Sequence, residues 1–213
     1  MLSFPDFFTA CSGKWTTERI YHSMPQGSIE RSYTEYQVKP ISPTDKQRIL
    51  TLSTQAGIKV EVQLATVQQE DLPGFAISFN TRSETGETVS MSLQALFVPD
   101  TYISAESTAV KLPPPVAAQI ATQPEGEVIQ GFYLRDEGYS EAGTAVGRFT
   151  YQPTRQTLEM TTYYRRSVAV DQMRMVAPNL RLRTIVTYQR PDNTNEIPTI
   201  IDLVGFGVEQ RSV

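Results

Sequence analysis

The run Pro178-Asn179-Leu180-Arg181-Leu182-Arg183 sets two guanidiniums two residues apart. On a β-strand, residues at that spacing project from one face. On a solvent face the pair is simply hydrated, and spacing alone favours that reading. On a face turned into an enclosed space, each charge needs a partner. A ligand with two carboxylates would supply partners, because guanidinium forks match carboxylates in bidentate fashion. Counter-charges are available within the chain. Glu209 and Arg211 share one face of an alternating C-terminal segment, and Asp171 lies ten residues before Arg181. These acids can neutralise the arginines or contact pyrrolic or cationic N–H groups of a ligand; an ordinary surface charge pattern would read the same.

Other chemistries are poorly represented. Cys11 is the single cysteine and His22 the single histidine, so no disulfide can form within the chain and most zinc sites are excluded. A Ser-His-Asp or Cys-His reading is weakened for the same reason. Cys11 reads as a small core residue and His22 as a strand residue. There is no Gly-x-Ser-x-Gly, no P-loop and no Gly-x-Gly-x-x-Gly following a strand. An enzyme built from this chain must work mainly by binding and positioning a reactive ligand.

The elements that would position these residues are mostly strands. Alternation with period two marks Ile58 to Leu64, Phe75 to Phe79, Val89 to Ala95, Leu158 to Thr162, Leu180 to Thr187 and Ile200 to Val208. Many such strands with turn signals between them predict an antiparallel sandwich or barrel. One helix is predicted after Ser3, with Pro5 in its first turn, Asp6 at the capping-box position and Gly13 as its stop. Its Phe4, Phe7, Phe8 and Cys11 fall on one face. A second helix is predicted from Pro43 to Ala56, with Ser42 as cap. The stretch from Ser104 to Glu127, with Pro113-Pro114-Pro115 and Pro124-Glu125-Gly126, reads as a long surface connection within one domain spanning residues 1–213.

A net charge of −4 provides no global attraction for nucleic acid or an anionic membrane. No run of about 18 apolar residues is present, so no membrane-spanning helix is predicted. The opening Met1 to Ser12 lacks the basic start and long apolar run of a signal peptide. The expectation is a soluble intracellular protein.

Several motifs, in order along the chain, resemble the CpcS/CpeS family of phycobiliprotein chromophore lyases. They are Gly13-Lys14-Trp15 with Glu18-Arg19 and Tyr21-His22, then Leu96-Phe97-Val98-Pro99-Asp100. Next come Leu134-Arg135-Asp136-Glu137-Gly138-Tyr139 and Gly147-Arg148-Phe149. Leu158 to Tyr164, Pro178 to Arg183, and Gly205-Phe206 through Glu209 and Arg211 complete the set. The resemblance implies a lipocalin-like antiparallel β-barrel of about ten strands with an N-terminal helix near one end. It implies no intrinsic cofactor, and a linear tetrapyrrole, phycocyanobilin or a related bilin, as substrate. The bilin would be attached through a thioether to a cysteine of an apo-phycobiliprotein subunit. The resemblance also implies Asp171 and Glu209 as catalytic acids and Arg181, Arg183, Arg19, Trp15 and Arg211 as ligand contacts, with no metal. A paralogous lyase subunit or a second copy of the chain is a further implied partner, and the compartment would be the cyanobacterial cytoplasm or the plastid stroma. The alternative within the same fold is a non-catalytic bilin carrier or accessory subunit of a heteromeric lyase. This alternative draws on departures from the family pattern: Asp171 where the family has Glu, Arg174-Met175 where it has Trp-Phe, and a Phe79 to Thr85 stretch without tryptophan.

Overall fold

A computed structural model describes residues 1–61, 72–108, 112–118, 128–136 and 145–212. The helix α1, Phe4–Cys11, starts where the sequence predicts. The Ser3 hydroxyl accepts from the Asp6 backbone N–H at 3.3 Å and donates to the Asp6 carboxylate at 2.6 Å. The second helix, α2, spans Pro43–Gln55 with Ser42 capping it in the same way.

The strands are β1 Gly13–Ser23, β2 Ile29–Pro40, β3 Gly74–Ser83, β4 Thr88–Pro99, β5 Ile129–Arg135, β6 Ala145–Gln152, β7 Thr157–Tyr163, β8 Ser167–Ala177, β9 Leu180–Gln189 and β10 Ile201–Arg211. Each pairs antiparallel with its sequence neighbours, and β1 pairs with β10, so the sheet closes into a barrel. Closure leaves no unpaired edge and separates one interior face from one exterior face. The expected ten-stranded antiparallel barrel is therefore the observed fold.

Helix α1 stops one end of this barrel. Its buried residues pack on Trp15 at the start of β1, Phe97 at the end of β4, Phe149 and Tyr151 on β6 and Met175 at the end of β8. All of these belong to the same rim. The Phe4 ring stacks on Phe149 at 5.3 Å and Phe8 lies 4.6 Å from Phe97. The Tyr151 hydroxyl donates to the Leu2 carbonyl at 2.8 Å. Helix α2 lies outside, burying Ile49 against Leu96, Val98, Phe132 and Leu134 on the outer faces of β4 and β5.

Most predicted strands turn their apolar side inward, as Phe75, Ile77 and Phe79 do on β3. On β9 and β10 the polarity is reversed. Leu182, Phe206 and Val208 are exposed, while Arg181 and Glu209 are buried. The predicted strand at Ile58 to Leu64 is a single bridge, Val60 with Ile103, and Val62 and Leu64 lie outside the described residues. The described part of the long connection lies on the outside of the barrel. There the Tyr163 hydroxyl donates to the Leu112 carbonyl at 3.2 Å, and the Ala117 N–H donates to the Tyr188 hydroxyl at 3.2 Å. Pro124-Glu125-Gly126 and the Gly138-Tyr139 motif lie outside the described residues.

Phe7 is fully buried in the plug. Phe7→Ala should lower unfolding stability by about 3–5 kcal/mol through lost transfer energy and the cavity left behind. Urea denaturation followed by circular dichroism checks this; a loss under about 1 kcal/mol would mean that α1 is not an integral part of the core.

Candidate functional site

The barrel interior holds a cavity of ≈ 530 Å³, within the range of small-molecule sites. Its walls are largely apolar and aromatic, including Tyr36, Phe75, Phe79, Met91, Tyr133, Met160 and Met173. Into this space project Arg181 and Arg183 from β9, Arg19 from β1 and Asp171 from β8.

Beneath these arginines lies Glu209, with no exposed surface. Cross-strand register explains the arrangement. Glu209 stands directly opposite Arg181 on β9 and Thr17 on β1. Gly207 stands between Arg183 and Arg19. A side chain at Gly207 would press on Arg19, because an added Cβ would lie 3.0 Å from its Cγ. The missing side chain leaves Arg19 room to reach Glu209. Its carboxylate meets Arg181 at 2.9 Å, Arg19 at 3.2 Å and Arg183 at 3.6 Å. Arg181 also donates to the Tyr36 hydroxyl and lies 4.0 Å from the Trp15 ring centroid, a cation–π contact. Trp15 is fixed in turn by its indole N–H, which donates to the Cys11 carbonyl at 2.9 Å.

Asp171 is held differently. Arg183 grips it in a fork: Nε donates to Oδ1 at 2.8 Å and Nη2 pairs with Oδ2. Asp171 and Arg183 are diagonal neighbours, since Asp171 stands opposite Ile185. Of the two acids, Asp171 is the one that lines the cavity.

Burial by itself would raise the Glu209 carboxyl. The guanidiniums of Arg181, Arg183 and Arg19 outweigh it and hold the group down at about 2. Burial pushes the Tyr36 hydroxyl up, and the nearby Glu209 charge adds to this. Burial also pushes the Cys11 thiol up, more than Arg181 pulls it down. Cys11 lines the cavity floor as a protonated thiol, which suits a core residue and not a nucleophile.

Two residues read from the sequence as ligand contacts do not reach the cavity wall. Trp15 lies behind Arg181 in the α1 plug, so it sets the arginine and not the ligand surface. Arg211 has the inward phase of β10 but is its last residue, opposite Trp15 at the plugged rim, exposed and packed beside Gly13. Glu209 is also set back from the cavity, as the anchor of the arginines. Sequence reasoning missed Tyr36 and Tyr164. Tyr36 occupies the inward phase of β2. Arg135 lies within the Leu134 to Tyr139 motif, and Gly131, Tyr133 and Arg135 alternate on β5 with Tyr133 and Arg135 lining the cavity. Of the departures, Arg174 is exposed on the outer face of β8, and Phe79 supplies an aromatic wall where a tryptophan is absent.

The CpeS-like protein family matches residues 3–108 and 116–212 of this chain. The chain belongs to that family. It is 36% identical over 208 residues to "Chromophore lyase CpcS/CpeS 1" of Synechococcus sp. (strain JA-3-3Ab), covering 98% of this chain and 96% of the relative. A solved structure, the S-type phycobiliprotein lyase CPES of Guillardia theta, superposes with a TM-score of 0.63 at 16% identity. That superposition covers 100% of this chain and 94% of the other, so the two share the fold.

Glu209 yields a pH prediction. Its carboxyl titrates at about 2 in the fold against an ordinary value of 4.5, so its stabilisation is complete above pH 4.5 and lost as pH falls toward 2. The shift corresponds to about 3 kcal/mol. Glu209→Gln should remove that part of the acid limb. It should also cost about 3–5 kcal/mol at pH 7, because three guanidiniums lose their common partner. Urea midpoints measured from pH 2 to 7 for both proteins test this. An acid limb unchanged in the variant would show that another carboxylate carries it.

Proposed function

We propose that this chain binds a linear tetrapyrrole, phycocyanobilin or a related bilin, and attaches it through a thioether to a cysteine of an apo-phycobiliprotein subunit. The observation that carries this reading is the arginine pair facing an aromatic cavity with Asp171 beside it. A bilin is a long conjugated molecule with two propionates. Arg181 and Arg183 suit the propionates, and the phenylalanine and methionine walls suit the ring faces. The name of the Synechococcus relative, a chromophore lyase, supports the same reading.

The chemistry asks little of the lyase. The partner's thiol adds across the exocyclic double bond of a terminal ring: a carbon–sulfur bond forms, the double bond becomes single, and the thiol proton ends on the bilin. A carboxylate near the pyrrole nitrogens favours their protonated state and makes that double bond a better electrophile. Asp171 is the acid placed for this, while Glu209 keeps the arginines charged and oriented. Because α1 stops one rim, the bilin enters and leaves by the other, and the acceptor protein must meet it there. No described helix is long and apolar enough to cross a membrane. The compartment in this reading is the cyanobacterial cytoplasm or the plastid stroma. A second reading, an accessory subunit acting beside a paralogous lyase or as a second copy, draws on Asp171. It is shorter than the family's Glu, and both its oxygens are engaged by Arg183.

The deciding experiment incubates the protein with phycocyanobilin and apo-phycobiliprotein subunits, with and without a paralogous lyase, and reads covalent adduct after denaturation against a no-lyase control. Adduct from this protein alone is the expected result; adduct only with the paralogue makes it an accessory subunit, and absence of bilin binding removes the reading. Arg183→Gln should weaken bilin binding about 10- to 100-fold in a fluorescence titration; unchanged affinity would take Arg183 out of the site. Asp171→Asn should slow adduct formation by about 10²-fold while leaving affinity within a few-fold. Equal losses in rate and affinity would make Asp171 a binding residue only.

A further inference from the structure

Across the cavity from the Glu209 cluster stands a further guanidinium. Arg135 ends β5, lines the cavity and is 1% exposed. Its Nη2 donates to the Tyr164 hydroxyl at 2.6 Å. Its charge centre lies 5.4 Å from the Tyr133 ring centroid and 5.6 Å from that of Tyr164. The hydroxyl and the two aromatic faces help to fix where this head sits. In the barrel order, β5 is four strands from β9 and five from β10. With about 4.8 Å between tilted neighbours, a ten-stranded barrel holds such backbones roughly 20 Å apart. A ligand anchored at both walls must therefore span the cavity.

An open-chain tetrapyrrole carries its two propionates on adjacent middle rings and a lactam carbonyl on each end ring. Arg181 and Arg183, two residues apart on β9, suit the closely spaced carboxylates. What the ligand can offer the opposite wall is an end ring. We propose that Arg135, oriented by Tyr164, donates to the lactam carbonyl of one terminal ring and so fixes which way the bilin lies in the barrel. This inference rests on the bilin-binding reading above. Its consequence is directional: the end ring held at Arg135 lies near the open rim, where the acceptor thiol arrives, and the other end ring points toward the plugged end.

The test titrates phycocyanobilin and its dimethyl ester into the wild-type protein and the variants Arg135→Gln, Tyr164→Phe and Arg183→Gln, reading affinity and the visible band of the bound pigment. Arg135→Gln should weaken the free acid and the ester by the same factor, about tenfold, and should move the band, because a hydrogen bond to a conjugated carbonyl is lost. Tyr164→Phe, which leaves the guanidinium and the ring in place, should give a smaller change in the same direction. Arg183→Gln should weaken the acid and spare the ester. A loss confined to the acid in Arg135→Gln would make a propionate its partner and overturn the assignment. Equal losses with an unmoved band would reduce Arg135 to a structural role, and no loss would remove it from the site. Wild-type protein that binds neither pigment would sink the bilin reading itself, an outcome distinct from these.

Discussion

The structure depends on one carboxylate that has no exposed surface. A barrel that encloses arginines must neutralise enough of their charge to keep them inside, and Glu209 does this for three at once. Its position on β10, between β1 and β9, lets Arg19 and Arg181 reach it from opposite sides. The absent side chain at Gly207 leaves room for Arg19. The Trp15 ring and the Tyr36 hydroxyl complete the surroundings of Arg181 without adding charge. Three guanidiniums share Glu209, and Asp171 engages one of them. An anionic ligand is a natural complement to such a wall.

The same constraint explains where the sequence was legible and where it was not. The barrel itself was legible, because period-two alternation and turn residues are local signals, and both helices announced themselves by their serine caps. The facing of β9 and β10 was not legible from alternation. Leu182, Phe206 and Val208 form the apolar stripe that hydrophobic burial would turn inward, yet they face solvent. Burial of the Arg181–Glu209 pair reverses that preference, and only the likeness of the Pro178 to Arg183 run to a known family hinted at it. Trp15 and Arg211 were misplaced for a simpler reason. Both have the inward phase of their strands, but phase says nothing about height along the barrel. They stand opposite each other at the plugged rim, Trp15 packed in the α1 plug and Arg211 exposed beside it.

The architecture also separates two tasks that many active sites combine. The Glu209 cluster lies toward the plugged end, where water is excluded and electrostatic interactions are strong. The opposite end of the cavity, bordered by small residues such as Ser167, Ala169 and Thr187, is where a partner protein would approach. A protein that positions a reactive pigment, and leaves the nucleophile to its partner, has no need of a catalytic triad or a metal.

Closing the barrel with its first and last strands has a consequence for how the chain is made. Arg19 and Glu209 are separated by 190 positions in sequence, and such contacts form late and slowly. During synthesis the β9 arginines emerge before the carboxylate that will bind them. Until β10 docks, β1 and β9 are open edges and the arginines remain hydrated. The enclosed cavity therefore comes into being only with the last strand, so an incomplete chain has no interior in which to sequester a pigment.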